Sequence, residues 1–284
     1  MRDPHIGVWG TPRAGKSTFI ARLYTELLHS KWSMTAFEND EKTKQFIKNI
    51  LEPINQGVFP PATPLGGTYS FLFEHQRKGF RHRNKRYRLE MIDAAGGILT
   101  EDFLKDYQDN YYEYLQTCDG LLMMIDPEII YKDDKNKRVS FYYRLIARLI
   151  EEISQNEGDQ PFILPNVAVC ITKIDLEQHW MAANRPYEFL EEIIGEKSYN
   201  LLFSAAYSDR IKVFTTSSVG RYITRTGLER PNLIKTLDGD RIARPYEKAY
   251  NVSRSLLWLF HRIDLEKLTF LERFGREPLY YEND

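Results

Sequence analysis

The chain has 284 residues, of which 42% are apolar and 28% are charged, and its formal net charge is −1. This composition is ordinary for a globular protein and excludes a disordered, collagen-like or small disulfide-stapled chain. No stretch approaches the ~20 apolar residues that span a bilayer, and no hydrophobic signal segment follows Met1. We therefore expect a cytoplasmic protein, with Cys118 and Cys170 as buried thiols in a reducing compartment.

Short apolar runs alternate along the chain with segments of helical periodicity. The runs predict strands at residues 5–9, 69–73, 87–92, 120–125, 167–172 and 211–215. Apolar residues spaced three and four apart predict helices at residues 17–30, 41–54, 139–153 and 245–263.

This alternation predicts a three-layer α/β fold with a mainly parallel sheet and helices on both faces. A hairpin built from the second and third predicted strands would supply one antiparallel strand. We expect a single domain over residues 1–284. It would carry a helical insertion at about 38–57 and a C-terminal helical extension at about 245–284.

The sequence GTPRAGKS, residues 10–17, matches the phosphate-binding pattern G-x-x-x-x-G-K-[ST] (Walker A) in full, between a predicted strand and a predicted helix. Glycines let the backbone N–H groups curl around phosphate oxygens, and the helix adds its positive N-terminal end. Lys16 is expected to reach the β- and γ-phosphates, and the Ser17 hydroxyl to bind Mg²⁺. The residues expected around the nucleotide phosphates are Gly10, Thr11, Arg13, Ala14, Gly15, Lys16, Ser17 and Thr18.

The sequence DAAG, residues 93–96, stands at the end of the predicted strand RLEMID. A carboxylate at a strand end opposite the phosphate loop is where a further Mg²⁺ ligand belongs, which indicates Asp93. The Gly96 N–H could then sense the γ-phosphate.

The sequence TKID, residues 172–175, follows a buried strand and indicates which base is bound. Asp175 can accept hydrogen bonds from the N1–H and the exocyclic N2–H₂ of guanine, a donor pair that adenine lacks. An unpaired buried carboxylate is costly, so the discrimination can be large. We expect Thr172 and Lys173 beside the base, with the Lys173 stem over the ring. The TTSS sequence at 215–218 would offer backbone N–H groups to the guanine O6, at Ser217 and Ser218.

The order GTPRAGKS, DAAG, TKID, TTSS resembles that of P-loop GTPases of the translation-factor-like class, which includes Ras-like proteins, over about residues 5–220. FPPAT (59–63), DGLLMMIDP (119–127) and NVSRSLLWLF (251–260) are similar to the bacterial double-GTPase family. The resemblance implies GTP/GDP and Mg²⁺ as ligands, hydrolysis of GTP to GDP and phosphate, and a conformational switch. It also implies a link to multi-gene conflict or signalling systems.

In such GTPases a threonine ahead of the hairpin binds Mg²⁺ and the γ-phosphate. Thr63 and Thr68 are both candidates, and we favour Thr63 because it stands in FPPAT. The expected metal ligands are therefore Ser17, Thr63 and Asp93.

The family pattern is broken just after DAAG. Ras-like enzymes carry a water-orienting glutamine there, whereas this chain has Gly97. Arg13 resembles the arginine finger in the phosphate loop of guanylate-binding proteins, and a solvent-pointing arginine is the alternative. The expected catalytic residues are Arg13, Lys16, Thr63 and Gly96.

A basic connector joins the two hairpin strands between Arg77 and Arg88. It is either a solvated loop or a contact for an acidic partner protein, nucleic acid or lipid head groups. Its cations are Arg77, Lys78, Arg81, Arg83, Lys85, Arg86 and Arg88.

Three functions are consistent with these patterns. The first is a Mg²⁺-dependent GTPase switch with a protein effector or regulator, and with a nucleotide-dependent homodimer as one form of activation. The second is a GTP-binding scaffold with little turnover, which Gly97 favours and Arg13 disfavours. The third is an ATP-using kinase or transferase, which Asp175 disfavours.

Overall fold

The computed structural model describes residues 2–27, 31–60, 67–75, 85–93, 108–129, 134–154, 164–237, 239–245 and 247–266. Its centre is a seven-stranded sheet in the order β2-β3-β4-β1-β5-β6-β7. The strands are β1 (His5–Gly10), β2 (Trp32–Ala36), β3 (Gly67–His75), β4 (Lys85–Asp93), β5 (Gly120–Ile125), β6 (Asn166–Ile171) and β7 (Ile211–Thr215).

Strand β3 runs antiparallel to both β2 and β4, and every other pairing in this sheet is parallel. The predicted fold class, a mainly parallel sheet with one antiparallel strand from a hairpin, is therefore confirmed. All residues of β5 and β6 are buried, because both faces of these central strands are covered. This explains why GLLMMI and NVAVCI read as continuous rather than alternating apolar runs.

Helices cover the two faces of the sheet. Helices α1 (Lys16–Leu27), α2 (Glu41–Asn55) and α8 (Val252–Glu266) contribute to one hydrophobic cluster, with Leu122 and Met124 of β5. Leu121, Met123 and Ile125 of the same strand face the other cluster. That cluster is formed with helices α3 (Gln108–Gln116), α4 (Lys135–Ser154), α6 (Pro186–Ile194) and α7 (Glu196–Ser204). A short helix α5 (Glu177–Trp180) precedes α6.

The predicted C-terminal helix begins later than expected, at Val252 rather than at residue 245. Asn251 adopts a left-handed conformation with φ 56°, so the helix does not extend before Val252. In the first helical turn, the Glu26 carboxylate accepts a hydrogen bond from the Ser253 N–H at 3.2 Å. Just before it, Tyr250 makes a β-bridge with Ser217. The start was wrong because this bridge is a long-range contact that periodicity does not reveal.

Several elements were not predicted. Strand β2 mixes polar and apolar residues at the sheet edge, where Trp32 packs on Phe260 with ring centroids 4.9 Å apart. Two small hairpins follow β7 and lack clear alternation. They are formed by β8 (Arg221–Ile223) with β9 (Glu229–Pro231) and by β10 (Leu233–Thr236) with β11 (Gly239–Ile242).

Asn232 joins the two small hairpins to the rest of the fold. Its fully buried side-chain amide donates to the carbonyls of Val219 and Arg244, both at 2.8 Å, and its Oδ1 accepts from the Arg244 N–H at 2.8 Å. The side chain thus satisfies backbone groups on both sides of the hairpin pair.

We predict that Asn232→Ala lowers the free energy of unfolding by about 3 kcal/mol, because it leaves three backbone groups without their side-chain partner, the buried carbonyl of Val219 and the part-buried carbonyl and N–H of Arg244. Urea unfolding at neutral pH measures this change. Asn49→Ala is the matched control. Asn49 lies on the exposed side of α2, and its removal is expected to cost less than about 0.5 kcal/mol. Equal losses in the two variants would contradict the prediction.

Candidate nucleotide-binding site

The phosphate-binding loop joins the end of β1 to the start of α1. Gly10 lies so close to β5 that a Cβ atom there would come within 2.9 Å of the Met124 carbonyl oxygen. Arg13 and Gly15 both have positive φ, 64° and 85°, which curls the backbone between strand and helix. The turn is closed by the Ala14 N–H bonding to the Thr11 carbonyl at 3.2 Å. Helix α1 then begins at Lys16, with its N-terminus at the loop.

Lys16 lies inside this loop with only 4% of its surface exposed. Its ammonium donates to the carbonyls of Gly10 at 3.1 Å and Thr11 at 3.0 Å. A buried ammonium is stable only where such acceptors compensate for lost water. The loop therefore holds one buried positive charge at its centre, while binding of the β- and γ-phosphates by Lys16 stays a prediction.

Arg13 has a different environment. Its side chain is exposed, and it makes no hydrogen bond or ion pair with any residue that the structure describes. Its guanidinium donors are thus not engaged within the described part of the chain.

Two strands away from β1, at the same edge of the sheet, the TKID segment follows β6. The Thr172 N–H donates to the Ile125 carbonyl at 2.9 Å, and the Ile174 N–H to the Thr216 carbonyl at 3.2 Å. Lys173 has a positive φ of 56°, and its ammonium lies 2.7 Å from the Asp126 carboxylate. The segment is thereby tied to both neighbouring strands.

Asp126 was missed in the sequence analysis. It is buried directly after β5, where it pairs with Lys173 and accepts a second hydrogen bond from the Glu128 N–H at 2.9 Å. A signal was present in DGLLMMIDP, because this aspartate follows a buried parallel strand just as Thr172 does. Its partner could not be named without the strand order.

Asp175 is only 6% exposed. Burial raises the pKa of its carboxyl, while a hydrogen bond with Ser217 and the positive charges of Lys173 and Arg221 act in the opposite direction. The site therefore holds a buried acceptor whose charge is only partly compensated.

The 215–218 segment lies beside Asp175, and its N–H groups can be accounted for. The Thr216 N–H bonds to the Ile171 carbonyl at 2.7 Å, and the Ser217 N–H to the Tyr250 carbonyl at 3.0 Å. The Ser217 hydroxyl accepts from the N–H groups of Val219 at 3.2 Å and Gly220 at 2.8 Å. Among residues 216–220, this leaves the Ser218 N–H without an acceptor in the described structure. Ser218 is thus the one predicted donor of this loop that still has a hydrogen to offer.

Some predicted residues cannot be placed in this site. Thr63, Gly96 and Gly97 lie outside the described residues. The backbone of Asp93 ends β4 and pairs with Gly67 of β3. Thr68, the alternative switch threonine, is an exposed residue of β3 opposite Ile92.

The basic connector is only partly described, because Arg77, Lys78, Arg81 and Arg83 lie outside the described residues. Its remaining cations have acidic partners. Lys85 pairs with Asp264, Arg86 lies 3.1 Å from Glu74, and Arg88 lies 3.1 Å from Glu90. These three contribute less unbalanced positive charge than the sequence alone indicates.

Other site types find no support in the described ranges. They contain no cluster of three or more histidine, cysteine, aspartate or glutamate side chains that could hold a metal ion. Both cysteines are buried and free, and burial raises each thiol pKa to about 12, which keeps them protonated and unreactive. None of the described helices has the length and hydropathy of a membrane span.

The sequence model of the family described as Double-GTPase 2 matches residues 5–220. The chain belongs to this family. It is thus a P-loop protein of a GTPase family, as the motif order predicts. No protein in a search of curated proteins matches the sequence.

Solved GTPase structures are similar to this chain at low identity. The Arl6 BBS3 small GTPase from Trypanosoma brucei matches at 11% identity and TM-score 0.46, covering 93% of this chain and 98% of that one. The Ski7 GTPase-like domain from S. cerevisiae matches at 13% identity and TM-score 0.47, covering 94% of this chain and 51% of that one. The elongation factor SelB from Methanococcus maripaludis matches at 14% identity and TM-score 0.32, covering 77% and 30%. The family match assigns the chain to its family, and the sheet topology gives its fold class. The remote similarity to these solved structures is used for neither.

The raised pKa of Asp175 has a consequence for stability. A carboxyl whose folded-state pKa exceeds its unfolded value stabilises the fold at low pH, and that contribution is lost as pH rises through the folded pKa. We therefore predict that Asp175→Asn makes the nucleotide-free protein more stable at pH 7. The gain is about 1.4 kcal/mol for each unit by which the pKa is raised, and it vanishes in acid. Urea unfolding between pH 4 and 8 measures it.

Asp126→Asn is the matched control for this prediction. Asp126 is equally buried but pairs with Lys173, so its neutralisation removes an ion pair and should destabilise the protein at pH 7. A loss of stability in both variants would show that the charge of Asp175 is fully compensated in the fold.

Proposed function

We propose that this protein binds GTP and GDP with Mg²⁺, hydrolyses GTP to GDP and phosphate, and changes conformation between the two states. One observation carries the proposal. Lys16 in the phosphate loop, and Asp175 with the Ser218 N–H, lie in loops that extend from the same edge of one sheet. Membership of a GTPase family supports it.

Recognition of the base follows from the donors and acceptors at the Asp175 end. Guanine presents two donors, N1–H and N2–H₂, beside one acceptor, O6, and this matches an aspartate beside an N–H. Adenine would place its N6 amino donor toward the Ser218 N–H and offer Asp175 no donor pair. Each unpaired buried group costs about 1–3 kcal/mol, so guanine would be preferred by orders of magnitude.

The residues at the phosphate end fit a Mg²⁺–triphosphate. Ser17 stands in the first turn of α1, and Asp93 ends β4, the parallel neighbour of β1. Their oxygens are of the type that Mg²⁺ prefers, and Thr63 would add a third. The ion, when bound, would neutralise charge on the β- and γ-phosphates. Lys16 would supply the protein's own positive charge at the same phosphates.

Hydrolysis joins a water oxygen to the γ-phosphorus and breaks its bond to the β–γ bridging oxygen, which leaves with GDP. Gly97 has no side chain that could orient the water. Arg13 has donors that no described residue engages, and it stands in the phosphate loop three positions before Lys16. We assign Arg13 the stabilisation of charge that develops on the bridging oxygen.

A GTP-binding scaffold with little turnover is the second candidate function. The absence of a side chain at Gly97 favours it, since no described group replaces the glutamine directly. In that case nucleotide would control assembly with a partner rather than be consumed. The ATP-using alternative is disfavoured by the buried carboxylate of Asp175.

If Asp175 reads the base, Asp175→Asn should convert guanine preference into xanthine preference. An amide can donate to the 2-oxo group of xanthine but cannot accept from both guanine donors. We expect at least a 100-fold loss of GDP affinity and a gain in XDP affinity, measured by competition with a fluorescent nucleotide. Asp209→Asn, at an exposed site paired with Arg262, is the control and should change neither. Retained GDP preference in Asp175→Asn would disprove the assignment.

Arg13→Ala tests the catalytic assignment. We expect kcat for GTP to fall on the order of 10³-fold or more with little change in GDP affinity, as for loss of an arginine finger. Phosphate release is measured across protein concentration, because a rate that rises with concentration indicates a dimer-activated finger. Arg225→Ala, in the exposed turn of the β8–β9 hairpin, is the control. Wild-type protein that binds GTP but does not turn it over at any concentration would favour the scaffold.

A further inference from the structure

Arg22 of α1 is a buried cation that the nucleotide motifs do not include. It is 3% exposed, and its guanidinium bonds two backbone carbonyls that are distant in sequence. The Nε donates to the Ser218 carbonyl at 2.6 Å, and the Nη1 donates to the Pro245 carbonyl at 2.6 Å. The side chain thus joins α1 to the 215–218 segment and to the stretch that leads into α8. The 215–218 segment, which is proposed to contact the base, is called the base loop below.

The base loop is held from the same side by the segment before α8. The Tyr250 N–H donates to the Ser217 carbonyl at 2.8 Å, and the Asn251 amide donates to the Thr215 carbonyl at 3.1 Å. In a trans peptide the N–H points away from the preceding carbonyl. The bond from Tyr250 therefore fixes the direction of the Ser218 N–H.

Arg22 fixes the next peptide, because it holds the carbonyl of Ser218 itself. The peptides before and after the Cα of Ser218 are thus both anchored, and rotation of the N–H away from its direction would break one of these bonds. Hydrogen bonds from a charged guanidinium are among the stronger ones in proteins. Burial lowers the pKa of Arg22, while the carboxylate of Glu26 on the same helix acts against that shift.

Glu26 extends the same connection to α8. It accepts a hydrogen bond from the Ser253 N–H at 3.2 Å in the first turn of that helix. Arg22 and Glu26 therefore bind Pro245 and Ser253, on the two sides of the stretch that leads into α8, to the same helix α1. This is the helix that begins at Lys16, so the phosphate loop and the base loop are attached to one rigid element.

We propose that Arg22 is a positioning residue that holds the Ser218 N–H in line with the 6-position acceptor of the base. Discrimination at this position thereby depends on Pro245 and on residues 250–253, which lie outside the nucleotide motifs. The inference rests on the proposed guanine-nucleotide function. It adds a residue outside the nucleotide motifs and a part of the chain beyond the base loop.

Nucleotide analogues separate this role from a purely structural one. 6-Thio-GDP keeps the N1–H and N2–H₂ donors that Asp175 would bind, but replaces O6 by a weaker and larger acceptor. IDP keeps O6 and N1–H but lacks the 2-amino group. Loss of folding stability alone would weaken all three nucleotides by the same factor. A misplaced Ser218 N–H would change only the GDP to 6-thio-GDP ratio.

The test compares wild type with Arg22→Lys and Arg22→Gln by nucleotide competition. Wild type is expected to prefer GDP over 6-thio-GDP about tenfold, corresponding to one hydrogen bond. In Arg22→Gln this ratio should approach one, and in Arg22→Lys, which reaches only one carbonyl, it should fall partway. The GDP to IDP ratio should stay at its wild-type value in both.

Tyr87→Phe is the matched control for loosened packing of α8. It removes the hydroxyl bond to Asp264 at 2.6 Å, near the other end of that helix, and should leave both ratios unchanged. A second measurement uses only wild-type protein. The Nε–H resonance of Arg22 should shift between the GDP and 6-thio-GDP complexes but not between the GDP and IDP complexes.

The outcomes separate two failures. Wild type that binds no guanine nucleotide would overturn the proposed function. Wild type that binds GDP, while the Arg22 variants keep the full 6-thio-GDP discrimination or its Nε–H resonance does not respond, would overturn the role of Arg22 alone. Equal weakening of all three nucleotides would also overturn it, by showing a structural effect only.

Discussion

The site depends on one constraint of the sheet: parallel neighbours β1, β5, β6 and β7 all end at the same edge. A parallel strand ends with carbonyl and N–H groups that its own segment cannot satisfy, so each following loop must find partners in its neighbours. These loops are the phosphate loop after β1, the turn at Asp126 after β5, the TKID segment after β6 and the 215–218 segment after β7. The strand order sets where these loops lie, and the residues within each loop determine which groups it can bind.

The loops satisfy this constraint by continuing the sheet's hydrogen bonding past the last paired residues. Thr172 bonds back to Ile125, Thr216 bonds back to Ile171, and Ile174 bonds across to Thr216. Each loop is thus in register with the one before it. A small shift of β6 relative to β7 would break these bonds. The distance from Lys173 to the 215–218 segment is therefore set by how β6 and β7 pack in the core.

The same edge holds polar side chains that a core would normally exclude. Lys16, Asp126 and Asp175 are all buried there. Lys16 and Asp126 have partners within the protein, whereas burial raises the pKa of the Asp175 carboxyl, and the hydrogen bond with Ser217 and the charges of Lys173 and Arg221 only partly oppose that rise. Such a group destabilises the free protein and is retained where a ligand completes its environment. Under the proposed function, the Asp175 end would therefore be the part of the site that depends most on a bound ligand.

The sequence allows prediction of those parts of the site that are encoded locally. GTPRAGKS and TKID each place a glycine, lysine or aspartate at a fixed distance from a strand end, so their positions follow once the strands are recognised. The buried strands β5 and β6 were equally clear, because burial on both faces makes them continuously apolar.

Contacts between distant segments could not be predicted. Strand β2 pairs with β3, and its Trp32 packs on Phe260 of α8. Asp126 pairs with Lys173 because β6, which Lys173 follows, lies beside β5. The start of α8 at Val252 depends on the bridge from Tyr250 to Ser217 and on the bond from the Ser253 N–H to Glu26, 227 positions away in sequence. In each case the residue's own neighbours in sequence give no sign of its partner.

Arg22 shows how such a contact extends the site. In sequence it is a polar residue in an amphipathic helix, and polar residues there usually face solvent. In the fold it is buried and bonds Ser218 and Pro245. The family match ends at residue 220, but the carbonyls of residues 215, 217 and 218 are held by Arg22 and by residues 250–251. The 215–218 segment, which we propose contacts the base, is therefore fixed not by β7 alone but also by Arg22 and by residues 250–251.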